Sequence, residues 1–500
     1  MELWAFVSAA EKLFSIGPIL GMLAVLPIAL LAGVMPGGGL PVSVIILGFV
    51  GFLDPWTAIA TVIFYMAATD ITEPIPSILL GIPGGRSAQA TVLDGYPMAQ
   101  QGLAGVALGA SYTSQLAGGL LGALALLLSL PMARELLKYF GSAEFFLFAM
   151  MGVIAVGIVS SGAVVKGMLT AALGFAIDLI GFSPIGGNVR LNLGIEYLWT
   201  GVPLIPIVTG LFALPEAIDL VVGNTPVAKK RLDEMMNDAR KDVYKGMRIA
   251  LDHKWLIFKS SMIGTFVGAL PGLGASVGHW ISYAYARATE KGARETFGKG
   301  DVRGVIAADA PNNSSDGGVL LPTLIFGIPG RGGMAIVLAM FILYGMVPGE
   351  AMLTTHLDFT IGMVYAIVVG NIIVIPIVLW GSPFITRLAA IPPNVLAPIV
   401  IAFVTLGAYQ ASFAMADLWT VLAFGVLGVF MKRYGWPRPP ILIAVVLGEI
   451  VEKYLWLSTQ ALGWSMLLRP QFVIVAIFMV VVVWASLRMQ QSADQLSKKV

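Results

Sequence analysis

The sequence predicts an all-α polytopic membrane protein built from two structural repeats, and three observations carry that prediction. Of 500 residues, 58% are hydrophobic and only 12% are charged. Apolar runs long enough to enter a bilayer recur along the whole chain. Two glycine-proline motifs also appear twice, in the same order. Soluble domains carry about 25% charged residues, and a globule could not hide this much apolar surface. A net charge of +2 gives no argument for nucleic acid. The absence of cysteine removes disulfides and thiolate metal sites. The opening "MELWAFVSAAEKLF" lacks the basic stretch and small-residue cleavage site of a signal peptide, so the first membrane helices are expected to direct insertion.

A helix needs about 20 apolar residues to cross a bilayer core. Gly17–Met35, Leu103–Leu128, Phe145–Val165, Lys166–Phe182 and Val202–Val222 meet that length in the first half. Val319–Met346, Phe359–Trp380, Val395–Phe413, Leu418–Met431, Ile441–Leu457 and Phe472–Leu487 follow in the second. With broken helices added, about eleven to twelve transmembrane segments are expected. Leu40–Leu53 and Ala275–Ala286 each follow a Pro-Gly pair and have about half a bilayer's reach.

Orientation comes from two basic stretches. Val227–Lys254 holds Lys229, Lys230, Arg231, Arg240, Lys241, Lys245, Arg248 and Lys254, and Arg287–Arg303 holds Arg287, Lys291, Arg294, Lys299 and Arg303. The positive-inside rule puts both in the cytoplasm. The chain between them, Trp255 to Ala286, must therefore cross an even number of times. Two half-length arms turning at "LPGLG" satisfy that as a re-entrant hairpin; two very short full spans are the alternative. The C-terminal tail, with Arg488, Lys498 and Lys499, is expected in the cytoplasm too.

The repeat is read from "GVMPGGG" (Gly33–Gly39) against "GALPGLG" (Gly268–Gly274), and from "PSILLGIPGG" (Pro76–Gly85) against "PTLIFGIPGR" (Pro322–Arg331). The offsets are 235 and 246 residues. We accordingly divide the chain into a first transmembrane repeat (15–222), a basic cytoplasmic linker (223–254), a second repeat (255–487) and a tail (488–500). Secondary carriers are commonly built from two repeats whose broken helices meet near the midplane. Irregular backbone survives at that depth only inside protein or beside a wet cavity. Any one such glycine span could instead serve close helix packing.

These motifs resemble the large membrane subunit of the tripartite tricarboxylate transporters, the TctA-type permeases, over about Gly17–Leu487. The resemblance rests on "LPGLG" (Leu270–Gly274), "SYAYA" (Ser282–Ala286) and "FGKGDVRGVIAADAPNNSSDGG" (Phe297–Gly318), together with "LDGYPMAQQG" (Leu93–Gly102). It rests equally on "NVRLNLGIEYLWTGVPLIPIVTGLFALPEAI" (Asn188–Ile218) and "VVLGEIVEKYL" (Val445–Leu455). It implies a multi-pass protein of the bacterial inner membrane that imports organic carboxylates, driven by Na⁺ or H⁺ as coupling ion and with no other cofactor. It also implies two partners, a small membrane subunit (TctB-like) and a periplasmic substrate-binding protein (TctC-like). Where that family often has Glu-Pro-Ser, this chain has Gly85, Arg86 and Ser87, and where it usually has Ser-Pro-Thr-Thr, this chain has Arg331, Gly332, Gly333 and Met334. Asp309 stands where a glutamate is usual.

Charged groups inside a membrane are costly and mark function. The candidate substrate site is Gly81, Pro83, Gly84, Gly85, Arg86 and Ser87 of one loop, Gly327, Pro329, Gly330 and Arg331 of the other, and Asn312 with Asn313. A guanidinium fork suits a carboxylate; each arginine could instead pair internally, Arg86 with Asp94 or Asp70 for instance. In "PNNSSDGG" (Pro311–Gly318), oxygen atoms could ligate a hard cation, or the run could cap a helix. Asp70, Asp309, Ser314 and Asp316 are the candidate ion-coupling residues. Asp70 and Glu73 could equally sit in water at a helix end. Asp178 and Arg190 are expected to form an ion pair, and Glu449 and Glu452 to face the interface or the small subunit. His253, His279 and His356 show no metal spacing, and no HExxH occurs, so neither a metal site nor an enzyme is expected. A carrier for another polar solute, or a channel-like permease, is the alternative function.

Overall fold

The computed structural model describes residues 2–34, 52–81, 83–159, 164–183, 188–215, 239–270, 274–388 and 412–498, with residue 218 and short pieces between 401 and 409. The predicted segments Leu40–Leu53 and Val395–Phe413, and the linker up to residue 238, lie largely outside these residues. The architecture is helical. One two-stranded ladder among the described residues pairs β1 (Gly181–Phe182) with β2 (Val189–Arg190).

The first half runs α1 (Leu3–Leu13), α2 (Ile16–Val34), α3 (Pro55–Thr72), α4 (Pro74–Leu80), α5 (Thr91–Gln100), α6 (Ala104–Leu137), α7 (Ser142–Val159), α8 (Val164–Asp178) and α9 (Leu204–Val208). The second runs α10 (Ala239–Asp252), α11 (Lys254–Ala269), α12 (Gly274–Thr289), α13 (Val302–Phe326), α14 (Gly332–Leu343), α15 (Leu357–Leu388), α16 (Met415–Arg433), α17 (Pro439–Leu462) and α18 (Pro470–Lys498). Among the described residues, five helices are long and apolar enough to cross a membrane: Ile16–Val34, Pro55–Leu80, Ala104–Leu137, Leu357–Gly381 and Met415–Arg433. A sixth candidate is the pair Pro439–Leu468 and Pro470–Val481, bent by 75°. Their outward faces carry Leu20, Leu124, Ile372, Trp419 and Ile474, side chains suited to acyl chains.

Several sequence expectations are corrected here. Pro55–Leu80 is absent from the predicted spans because Thr57, Thr61, Thr69, Asp70, Thr72 and Glu73 lower its hydropathy, yet its membrane-length window is wholly enclosed by protein. Asp54 caps it, accepting from the Trp56 and Thr57 amides at 3.0 and 3.1 Å. Val319–Met346 is not one span: α13 ends at Phe326, the chain turns at Gly327, and α14 starts at Gly332. "PNNSSDGG" is no cap but the middle of α13, whose cap is Asp301, accepting from the Arg303 amide at 2.9 Å. The expected Val202–Val222 span begins as α9 and passes into a π-helical turn at Thr209–Ala213. Asp178 does not pair with Arg190. Arg190 instead holds Glu452 through its two terminal nitrogens, Nη1 and Nη2, at 2.8 and 3.0 Å.

The chain around "LPGLG" forms α11 and α12, of sixteen residues each. Each arm is about 24 Å long, short of a bilayer core of about 30 Å. They pack on one another through Val267 and Val277; the turn itself, residues 271–273, lies outside the described residues.

The central packing is α13 against α6, and small residues permit it. A side chain at Gly122 would strike the Ser314 backbone, 2.8 Å from its Cα, and one at Gly317 would strike the Gly122 carbonyl carbon. Close backbone approach through glycine is how helices associate where lipid removes any hydrophobic drive between them. At the basic end, Asp94 of α5 fastens the loop before α13. Its Oδ1 accepts from the amides of Gly298, Gly300 and Asp301 at 2.8, 2.9 and 2.9 Å, and Tyr283 donates to Oδ2 at 2.7 Å. Gly298 and Gly300 have φ of 83° and 100°, which lets successive amides converge on one carboxylate. Burial pushes the Asp301 carboxyl up, but bonds from Arg303 and Thr296 outweigh it and hold the group below the usual carboxylate range.

Two outcomes test this packing. Gly122→Val or Gly317→Val should overpack the helix crossing by about 1–3 kcal/mol and lower the unfolding temperature in detergent, whereas Leu124→Ala on the outward face should not. Asp94→Ala should free the 298–301 loop, speeding tryptic cleavage at Lys299 with cleavage elsewhere unchanged.

Candidate functional site

Two helices end in the same way. The glycine after α4, Gly81, has φ 68° and ψ 19°, and the glycine after α13, Gly327, has φ 66° and ψ 24°. Each left-handed cap turns the chain, and beyond it Gly84 lies back against Glu73 and Gly330 against Val319. Position Gly85 (φ −145°, ψ −179°) and position Arg331 (φ −148°, ψ 167°) are then extended and open the next short helix. The close approaches match as well. A side chain at Gly84 would meet Glu73 and the Gly33 carbonyl (2.8 Å); one at Gly330 would meet Val319 and the Gly268 carbonyl (3.1 Å). A side chain at Gly33 would meet the Thr69 carbonyl, and one at Gly268 the Ser315 carbonyl. Glu73 and Val319, Thr69 and Ser315, and Asp70 and Asp316 all stand 246 residues apart, the offset of the loop motifs.

The two helices run in opposite senses. The start of α3 lies at the end of α14, where the Tyr344 hydroxyl donates to the Leu53 carbonyl at 2.9 Å. The start of α13 lies beside α5, which packs on α4 through Gly95 and Ile78. The loops therefore re-enter from opposite ends and meet halfway.

At that meeting point Arg331 is held between two aspartates. Its Nη1 donates to Asp70 Oδ2 at 2.7 Å and its Nη2 to Asp316 Oδ1 at 2.5 Å. Asp70 comes from α3 and Asp316 from α13, and both are buried. The arginine is offset by one residue from the pairing suggested by the sequence, because its counterpart in the first loop is Gly85 rather than Arg86. Gly85 lies against the Glu73 carboxylate, which also receives the Ser87 hydroxyl. The Arg86 side chain lies outside the described residues, and so does Ile82. Asp94, offered above as a partner for Arg86, is committed to Tyr283 and the 298–301 amides.

The other polar residues of α13 from Asp309 to Thr323 are fully buried, and most have defined partners. Asn312 Nδ2 donates to the Asp70 carbonyl at 2.9 Å, Asn313 Nδ2 donates to Asn371 Oδ1 at 2.7 Å, and the Ser314 hydroxyl donates to the Ser261 carbonyl at 2.8 Å. Thr91, following the first loop, donates to Asp309 Oδ1. Five buried atoms here have no hydrogen-bond partner: Asp309 Oδ2, Asn312 Oδ1, Asn313 Oδ1, Asp316 Oδ2 and Arg331 Nε. Pro83 and Pro329 shape the loops without touching this centre through a polar atom. Asn313 and Ser314 face α15 and α11, away from Arg331. Thr91, Ser111 and Asn371 are absent from the sequence-derived site. Asn371 had a legible signal, a lone amide inside the apolar run Phe359–Trp380; the two hydroxyls had none.

A buried charge cluster enclosed by broken helices of a multi-spanning chain defines a membrane transport protein. The particular family follows from comparison. Residues 19–443 match the tripartite tricarboxylate transporter TctA family, and the chain belongs to it. Among curated proteins it is 26% identical over 435 residues to an "Uncharacterized 52.8 kDa protein in TAR-I ttuC' 3'region" of Agrobacterium vitis, covering 85% of this chain and 84% of that protein. An "Uncharacterized protein in TAR-II ttuC' 3'region" of the same organism is 29% identical over 195 residues, covering 38% of this chain and 79% of its own length. No solved structure matches.

Removing one partner of a buried ion pair strands the other at about 3–5 kcal/mol. Arg331→Ala, which strands Asp70 and Asp316 together, should therefore sharply lower the unfolding temperature. Asp70→Asn should be destabilising in the wild-type chain but stabilising when added to Arg331→Ala. The same sign in both backgrounds would show that these side chains do not share one electrostatic centre.

Proposed function

We propose that this chain is the permease subunit of a binding-protein-dependent secondary carrier that imports an organic carboxylate, and that the carboxylate is bound at Arg331. Membership of the TctA family supports the carrier reading. The observation that carries the site is the unpartnered Nε–H of Arg331, a buried donor on a guanidinium whose other two nitrogens are engaged. A buried donor left unmade costs about 1–3 kcal/mol, and a substrate carboxylate reaching Arg331 satisfies it. A guanidinium fork can exchange one carboxylate for another without losing its charge balance. Arrival of the substrate therefore displaces Asp70 or Asp316 from one arm.

The halves 15–222 and 255–487 act as inverted repeats whose loops meet at Arg331, with the 287–303 end in the cytoplasm of a bacterial inner membrane. A small membrane subunit and a periplasmic binding protein complete the carrier, and Na⁺ or H⁺ drives it. To test this, the binding protein is screened against a panel of mono-, di- and tricarboxylic acids. Uptake of the acid that binds is then measured in vesicles carrying the complete carrier. Arg331→Ala should reduce uptake at least tenfold, and Arg331→Lys should raise KM more than it lowers kcat, since a point charge replaces a fork. Wild-type uptake by Arg331→Ala would overturn the assignment, and passive equilibration without accumulation would make the protein a channel.

A further inference from the structure

The four oxygen-bearing residues named as ion-coupling candidates separate once their partners are known. Asp70 and Asp316 share the charge of Arg331, and the Ser314 hydroxyl is spent on the Ser261 carbonyl. Asp309 is left: fully buried, and paired with no cationic side chain among the described residues. An isolated carboxylate in such surroundings must acquire a positive partner or give up its charge.

The surroundings of Asp309 offer oxygen. Its Oδ1 takes the Thr91 hydroxyl, the Ser111 hydroxyl of α6 faces the same carboxyl, and its Oδ2 accepts no hydrogen bond. One turn further along α13, the Asn312 amide is oriented by donation of its Nδ2 to the Asp70 carbonyl, leaving the buried Oδ1 unpartnered. Residues at i and i+3 stand about 5–6 Å apart at Cβ on one helix face, a gap a cation can bridge. The nearby His279 ring contacts the Ala308 carbonyl through Nδ1 at 3.2 Å and is not paired with Asp309. A proton on Asp309 Oδ2 reaches at most one further acceptor, whereas a cation draws on Asp309 Oδ2, Asn312 Oδ1 and the Thr91 and Ser111 hydroxyl oxygens together. Among the described residues no three His, Asp or Glu side chains gather as a multivalent metal would need. One carboxylate with neutral oxygens matches a monovalent hard cation.

We propose that Asp309, Asn312, Thr91 and Ser111 bind one dehydrated Na⁺ ion, and that Asp70 and Asp316 do not. As the coupling site of the carrier, this rests on the transport reading above; as an ion site, it stands on the geometry around Asp309 alone.

The full chain, purified in detergent, is unfolded thermally while NaCl replaces choline chloride at constant ionic strength, with KCl as a second control. A ligand bound only by the folded state stabilises it by RT ln(1 + [L]/Kd), so the unfolding temperature should rise by several degrees with Na⁺ and only slightly with K⁺. Asp309→Asn should abolish the Na⁺ shift, and Asn312→Ala or Thr91→Val should weaken the apparent affinity about tenfold. Arg331→Ala should keep the shift, so a failure of the anion assignment is read separately. If wild-type protein shows no Na⁺-specific shift, or if Asp309→Asn keeps it, the proposal is overturned. Stabilisation that follows pH identically in choline and sodium would assign a proton to Asp309 and overturn it equally.

Discussion

One guanidinium between two carboxylates governs the interior of this protein. Arg331 cannot be deprotonated, and an unpaired guanidinium at membrane depth costs several kcal/mol, so both halves must present acid to it. They do so with the same residue at the same place, Asp70 on α3 and Asp316 on α13. That requirement fixes how far each loop re-enters, which glycines must turn it, and how closely α13 must approach α3. A chain reversal of this kind exposes backbone amides and carbonyls, and the enclosing helices α2, α6, α11 and α15 keep that backbone away from lipid.

The shared backbone plan makes the differences between the halves informative. At the position where the second half carries Arg331, the first carries Gly85; where the first carries Glu73, the second carries Val319. The first loop thus packs its backbone on an acid, and the second packs its backbone on an aliphatic side chain and projects a base. A centre built from two identical halves could only duplicate a charge pattern. The exchange at these two pairs of positions gives the centre a direction, with acid predominating at the first loop and the guanidinium reaching out of the second.

Much of the fold was legible because periodic signals carry it. Long apolar runs, basic flanks and a repeated "GIPG" need only counting, and the turns at Gly81 and Gly327 fall where those glycines stand. What was missed failed for a physical reason. Hydropathy is a measure of lipid exposure, so Pro55–Leu80, a span surrounded by protein, was not among the predicted spans. "PNNSSDGG" reads as a cap because its residues favour caps in water; inside a bundle, neighbouring helices satisfy those side chains and the helix runs straight through. Partner identity was least visible. Arg190 and Glu452 lie far apart in the chain, as do Asp70 and Arg331, and no local pattern joins them.

Placement of both proposed sites on one rigid helix has an energetic consequence. Asp309 and Asp316 are seven residues apart, so an ion at the first and an anion at Arg331 beside the second lie about 10 Å apart along the axis. At an effective dielectric of about 20, unit charges at that distance attract by about 1.6 kcal/mol, a factor of roughly fifteen in affinity. Coupling free energy is reciprocal: the cation favours the anion as strongly as the anion favours the cation. The two proposed sites are thereby coupled through the field along α13, without contact between the two ligands and without a conformational signal passing between them.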